Sequence, residues 1–207
     1  VSESLFIIGT EHKVGIGILR ELSSSAEAKV KELITRYPSK KSAVMPALYI
    51  AQEELGWISP DAVEWVAARL DLPTSHVFEV ASFYTMYYKR PVGKFHIQIC
   101  RTISCHILGA PKLVKRLKER FGVTAGEITS DGMWSYEEVE CLGSCGTAPM
   151  CQINDRFFEN LTDERLDEIL NQIAEVKPEL RFSTIKEELG NGLDSFPRSE
   201  VMKDVNS

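Results

Sequence analysis

The chain has 207 residues, 43% of them hydrophobic and 26% charged, with a formal net charge of −6. That balance suits one sizeable globular domain or two small ones; it argues against disorder throughout and, through its sign, against nucleic acid as a partner. No apolar run approaches the ~18 to 20 residues that span a bilayer, and the first 20 residues lack a basic stretch followed by a cleavage-like site, so the five cysteines are expected in a reducing compartment, where thiols serve metals better than disulfides.

Residues 1–24 (containing LFIIGTEHKVGIGIL) are apolar and interrupted by glycine, and the pattern assigns them no element beyond a leader. His12 has no second ligand type nearby and is expected at the surface. From Ser24 the period becomes helical. Ser24 and Glu27 have capping-box spacing, Val30, Leu33, Ile34 and Tyr37 follow on one face, and Pro38 is expected to stop the helix. A second helix is expected over about 42–55, with Pro46 tolerated only near its first turn and Val44, Leu48, Ala51 and Leu55 along one stripe. Gly56 closes it. Ser59 and Pro60 open a third helix as N-cap and first residue, with Val63, Val66, Ala67 and Leu70 inward. Pro73 and Thr74 start a fourth, carrying Val77, Val80, Ala81 and Tyr84. Four such short helices cannot bury their stripes alone, so residues 25–92 are expected to pack as a small bundle. The aromatic run Phe83, Tyr84, Tyr87 and Tyr88, with Trp57 and Trp65, is read as core or contact packing rather than a cofactor box.

After Pro91 and Gly93 the period changes to two. Phe95, Ile97 and Ile99 alternate with Lys94, His96 and Gln98 in a strand ending at Cys100. No constellation is expected around His96 or His76. A helix with Ala110, Val114, Leu117 and Phe121 inward follows, ended by Gly122, and its N-terminal amides are expected to stabilise a Cys105 thiolate. A loop with Gly126 and an Asp131 and Gly132 turn leads to the strand WSYEEVE. MCQIN and RFFEN then form a hairpin around Asn154, Asp155 and Arg156, and Thr162 caps a last helix with Leu166, Ile169, Leu170 and Ile173 inward. Pro149 is expected in the ordinary trans form. The result is an α+β or α/β protein: a helical bundle, then residues 93–176 as a mixed sheet with helices on it, then a polar tail over 177–207.

Four of the five cysteines form a C-x4-C pair, Cys100 and Cys105, and a C-x3-C pair, Cys141 and Cys145, each just after an expected strand. Two short loops, each offering two sulfurs, are what a four-thiolate site needs. Structural zinc usually takes C-x2-C knuckles, whereas iron-sulfur clusters take wider loops around their inorganic core. Spacing alone therefore leaves a [2Fe-2S] cluster, zinc, or free or disulfide-bonded cysteines open. Gly143 and Gly146, lacking a Cβ, could let backbone amides close on cluster sulfurs. Cys151, inside a strand, is read as a small buried hydrophobe, and His106 as a neighbour of Cys105 rather than a ligand. Between residues 86 and 122 nine basic residues face one acid, Glu119. The stretch reads as a solvated helix face, or as a docking face for an acidic partner and a field favouring reduction, with Arg101 the best candidate to tune a potential.

The segments ICRTISCHILGA, VECLGSCGTAPMCQIND and FFENLT, with AQEELGWISPDAVEWVAARL and VFEVASFYTMY upstream, resemble the small thioredoxin-like [2Fe-2S] subunit of the NADH-oxidising module of respiratory complex I, over about residues 26–175. The resemblance implies one [2Fe-2S] cluster on Cys100, Cys105, Cys141 and Cys145. It implies one-electron exchange with FMN, the FMN and NADH sites lying on a flavoprotein partner subunit beside the helical region. It further implies contact with the large iron-sulfur subunit, no membrane span, and a place in the peripheral arm on the cytoplasmic side of a bacterial inner membrane, or the matrix side in mitochondria. Equivalent subunits occur in NAD-linked hydrogenases and formate dehydrogenases. Rivals of other classes are a structural zinc adaptor and a free-standing thioredoxin-like ferredoxin.

Overall fold

The computed structural model describes residues 22–180, so the expectations for residues 1–21 and for 181–207 lie outside the described residues. Four helices come first: α1 (Ser24–Thr35), α2 (Val44–Leu55), α3 (Pro60–Leu70) and α4 (Thr74–Phe83). The cap of α1 is Ser23 rather than Ser24: its hydroxyl accepts from the Ala26 amide. The helix ends at Thr35, before Pro38, because the Arg36 amide turns back to the Leu33 and Ile34 carbonyls. A 3-10 turn, Lys40–Ala43, leads into α2. This helix buries Val44, Pro46, Ala47, Leu48, Tyr49, Ala51 and Gln52, more than the one stripe its period suggests, because α1, α3 and α4 all lie against it. Gly56 closes it in the left-handed conformation, with φ 78° and its amide on the Gln52 carbonyl. Ser59 caps α3 through the Ala62 amide, with Pro60 as first residue. The aromatic run divides. Tyr87 and Tyr88 are buried, Tyr87 donating to the Met45 carbonyl at 2.9 Å, while Phe83 stands exposed.

The second hydrophobic core surrounds a four-stranded mixed sheet of order β2-β1-β3-β4, formed by β1 (Phe95–Cys100), β2 (Trp134–Val139), β3 (Cys151–Ile153) and β4 (Arg156–Phe158). β1 and β2 are parallel, so the chain crosses over between them through α5 (Ile103–Ile107) and α6 (Ala110–Phe121). β1 also pairs antiparallel with β3, and β3 with β4 through the expected hairpin. The last helix, α7 (Asp163–Val176), is capped by Thr162 onto the Arg165 amide and buries Leu166, Ile169, Leu170 and Ile173 against that core. On α6 the buried face is Ala110, Leu113 and Leu117. Arg116 and Arg120 reach from α6 to Asp167 on α7, so part of the basic stretch ties two helices together. The Ala148–Pro149 bond is cis, correcting the trans expectation.

His96 is a second correction. Strand alternation turns it away from the Phe95, Ile97 and Ile99 side, yet it is fully buried and has a constellation around it. Its Nδ1 lies 2.7 Å from Ser135 Oγ and its Nε2 3.1 Å from Glu137 Oε1, and the Tyr88 ring meets it edge-on at 4.9 Å. Asn154 Oδ1 accepts from the His96 amide at 2.7 Å. The sheet face that alternation leaves to polar residues is covered here by the end of the helical region.

Gly93 marks the passage between the two halves. A Cβ built on it would lie 2.5 Å from the Trp134 carbonyl carbon and 2.8 Å from the Ser135 nitrogen, both backbone. Its own amide donates to Ser135 Oγ at 2.8 Å. Gly93→Ala is expected to push β2 aside and destabilise the fold by about 1–3 kcal/mol. Denaturant unfolding with an unchanged midpoint would show that the strand yields freely.

Candidate cluster site

The parallel pairing of β1 and β2 builds the site. Parallel strands end side by side, and here Cys100, the last residue of β1, is in register with Val139, the last residue of β2. The loops leaving those two ends therefore emerge together, one carrying Cys100 and Cys105, the other Cys141 and Cys145. β3 runs the opposite way, with Cys151 opposite Ile99, so the segment from Cys145 to Met150 returns to the same end of the sheet.

Cys105 lies within the short helix α5 and, like Cys100, is buried. Cys141 and Cys145 are exposed, their sulfurs 3.7 Å apart. Cys141 precedes a turn at Gly143, whose φ of 85° is left-handed and whose amide approaches Cys141 Sγ at 3.4 Å. Cys145 opens a 3-10 turn, Cys145–Thr147. That turn is fastened from β4's exit by Glu159, which accepts from both Ser144 and Thr147 hydroxyls. Gly146 needs no such freedom: its φ is not positive, and a Cβ there would meet nothing within 4 Å.

Thr102 joins the two pairs. Its hydroxyl lies 3.2 Å from Cys100 Sγ and also acts on the Cys141 thiol, and although it stands at the N-cap of α5 it makes no capping bond there. Burial works to raise the Cys100 thiol. Thr102, the Leu142 amide and Cys105 outweigh it and hold that thiol below its ordinary range. The Gly143 amide, then Cys145 and Thr102, lower Cys141 likewise. Their partners go the other way: burial, with Cys100 beside it, pushes Cys105 up to about 11, and Cys141 raises Cys145. Cys105 also feels the charge of Cys145, so the two loops act on each other.

The donor set fits an anionic iron-sulfur core: all-sulfur, in two pairs, with amides of residues 102, 142, 143 and 150 against the sulfurs. Among the described residues no three His, Cys, Asp or Glu side chains, the four cysteines included, are gathered closely enough to hold a metal ion. The amide serving Cys105 is that of Met150, across the site, rather than one from the N-terminus of the following helix. Sequence reading missed Thr102, Leu142 and Met150. Only Thr102, a hydroxyl within the C-x4-C loop, carried a signal.

Cys151 is fully buried in the core, where desolvation alone pushes its thiol up. His106 is exposed beside Cys105. Arg101 is exposed and bonded to Glu140 at 2.6 Å, so a carboxylate already offsets much of its charge. His76 lies 3.8 Å from Glu79 on α4, away from the cysteines in sequence.

Comparison with known proteins agrees with this geometry. The family described as thioredoxin-like [2Fe-2S] ferredoxin matches residues 30–174. An NADH-quinone oxidoreductase subunit of Rickettsia bellii is 42% identical over 146 residues, covering 69% of this chain and 87% of its own. Another NADH-quinone oxidoreductase subunit, from Thermus thermophilus, is 42% identical over 144 residues, covering 68% and 80%. Among solved structures, an NAD+-reducing [NiFe]-hydrogenase in its air-oxidized state shares the fold over 65% of this chain, with a TM-score of 0.57 and 24% identity; the present chain spans 23% of that hydrogenase chain. Matched across most of its described length, and with two thiol pairs at one end of a mixed sheet, the chain belongs to the thioredoxin-like [2Fe-2S] ferredoxin family.

Proposed function

We propose that this chain is the [2Fe-2S] electron-carrying subunit of an NADH-quinone oxidoreductase, with the cluster held by Cys100, Cys105, Cys141 and Cys145. The observation that supports the reading is that the loops leaving the parallel ends of β1 and β2 emerge together, near enough for Cys145 to act on Cys105 and Cys100 on Cys141. The relatives in Rickettsia bellii and Thermus thermophilus support the assembly by their names. When bound, the cluster supplies one-electron chemistry. The protein supplies four sulfurs, the amides that stabilise their charge, and a buried wall at Cys100 and Cys105 that keeps water from one side. The exposed side, at Cys141 and Cys145, is where an electron would pass to or from the FMN of a flavoprotein partner carrying the NADH site. The large iron-sulfur subunit would be a second neighbour, and the whole would lie in a peripheral arm on the cytoplasmic side of the membrane. Among the described residues no helix is long and apolar enough to cross a membrane.

Anaerobic purification with associated subunits, followed by iron and sulfide analysis and EPR, tests this. About two irons and two sulfides per chain with a signal on reduction are expected; stoichiometric zinc in a colourless protein would replace the reading with a structural adaptor. Arg101→Glu is expected to lower the midpoint potential, because a positive charge beside Cys100 eases addition of an electron to an anionic site. The Glu140 pair keeps that shift below about 60 mV, the equivalent of ~1.4 kcal/mol for one electron. A redox titration showing no change, or a rise, would remove Arg101 from that role.

A further inference from the structure

Thr102 lies on the first cysteine loop, between Cys100 and Cys105, with its backbone extended at φ −74° and ψ 170°. A threonine at the N-cap of a helix ordinarily turns its hydroxyl back to an amide of the first turn, because that amide has no partner within the helix. Here the hydroxyl is turned elsewhere. Thr102 makes no capping bond to α5, and its oxygen lies 3.2 Å from Cys100 Sγ. The same hydroxyl acts on the Cys141 thiol of the second loop and lowers it, which is the effect of a donor on sulfur. Ser104, two residues on, acts in the same sense on Cys145. The first loop therefore sets hydroxyls against sulfurs of both loops. Thr102 is half-buried, so water makes up only part of a donor lost there.

Between a thiol and a hydroxyl either atom can donate, but a sulfur that holds metal has given up its proton. Facing such a sulfur, the Thr102 hydroxyl has one role, that of donor. A hydrogen bond to a charged acceptor is stronger than one to a neutral acceptor, and it strengthens further as negative charge builds on the acceptor. A donor fixed at these sulfurs thus favours the reduced state over the oxidised one, and hydrogen bonds to sulfur are among the levers that set such potentials. The amides around the site act alike, but a side-chain donor can be exchanged without altering the backbone.

We propose that Thr102 sets the potential of the site, its one hydroxyl proton shared between the sulfurs of Cys100 and Cys141 and favouring the addition of one electron to the cluster they hold. The proposal rests on the electron-carrier reading and deepens it by naming a hydroxyl that regulates the same four-sulfur site.

The test uses the full chain purified anaerobically with its associated subunits. Thr102→Val keeps the branched shape, and with no capping bond to lose it leaves the start of α5 as it is. The variant is expected to retain iron, sulfide and the EPR signal on reduction. Its reduction should be disfavoured about threefold to tenfold, a fall in midpoint potential of about 28–59 mV for one electron. Thr102→Ser, which keeps the hydroxyl without the methyl, should return the potential to that of the wild type. Pulsed EPR after exchange into D2O should show one exchangeable-proton coupling present in the wild type and the serine variant and missing from the valine variant. An unchanged or raised potential in Thr102→Val overturns the proposal. So does a serine variant that falls as far as the valine one, which would assign the shift to packing of the methyl. Loss of iron and sulfide from the valine variant with unchanged circular dichroism also overturns it, because the hydroxyl would then serve assembly of the site. Should Thr102→Val fail to fold, Thr102→Ala carries the same comparison with the same outcomes. A wild-type chain without iron and sulfide would instead refute the electron-carrier reading, so the two failures are distinct.

Discussion

Replacement of Cys105 by serine is expected to abolish the cluster while leaving the two hydrophobic cores in place. Iron is held by soft thiolates in such centres, and a serine oxygen is a harder and more basic donor that seldom substitutes. Cys105 is also the most enclosed of the four, lying in α5 with 1% exposure and with the Met150 amide against its sulfur. No neighbouring side chain can take its place: Cys151 is held within β3, opposite Ile99. Iron and acid-labile sulfide per chain should fall about 10-fold or more, with loss of visible absorption and of the EPR signal on reduction. Cys151→Ala should keep all three and cost only the packing of a small buried group. Cluster content retained in the Cys105 variant, or lost in the Cys151 variant, would reassign the ligands. Because ligand binding and folding are linked, circular dichroism of each variant separates loss of the cluster from loss of the fold.

The second large effect is expected at His96, remote from the cysteines. His96 sits between Ser135 and Glu137, and Glu137 is held in turn by Gln98 at 3.0 Å and Arg90 at 3.1 Å. His96→Ala removes a buried ring and takes one partner each from the Ser135 hydroxyl, which keeps the Gly93 amide, and from Glu137, which keeps Gln98 and Arg90, a combination that costs about 2–4 kcal/mol. Thermal or urea unfolding checks it, and a loss below about 1 kcal/mol would mean that water refills the site. The same network predicts an acid transition. The bond from His96 is the largest influence lowering the Glu137 carboxyl, from 4.5 to about 2, against burial, which acts to raise it. A carboxyl lowered in the folded state binds fewer protons there than in the unfolded chain. Its contribution is therefore complete above pH 4.5 and is lost as the pH falls from there towards 2. With a side chain 27% exposed, solvent screening leaves that contribution at about 1–2 kcal/mol. Glu137→Gln should be less stable than the wild type at pH 7, and the gap should narrow below pH 4.5 and close near pH 2. An equal gap at both ends would assign the loss to packing instead of charge.

Much of the molecule could be read along the chain because its signals are local. Ser59 with Pro60, Gly56 and Thr162 cap or close their helices where the residue types predict, since a cap involves only its neighbours three or four positions away. The strand from Phe95 to Cys100 and the hairpin after Cys151 follow from alternation and turn chemistry. Misreadings of the same kind were small: Ser23 caps α1 because its backbone, not that of Ser24, is extended. The inward-facing stripe of α2 proved too narrow, because a period shows which face is apolar and not how many neighbours will cover the helix.

The sequence by itself determined that four sulfurs would be offered in two close pairs, each behind a strand, since spacing and periodicity are properties of short segments. Only the tertiary structure decided that the loops carrying them leave one end of the sheet side by side. That follows from the parallel register of β1 and β2, which sets Cys100 beside Val139 and sends both loops out at one end of the sheet. Contacts spanning 39 residues or more, such as His96 with Ser135 and with Glu137, leave no periodic trace, because either partner alone looks like a polar residue on the outer face of a strand. Which face of that strand is wet depends on what packs across it, and here the segment carrying Tyr88 closes it from the helical side.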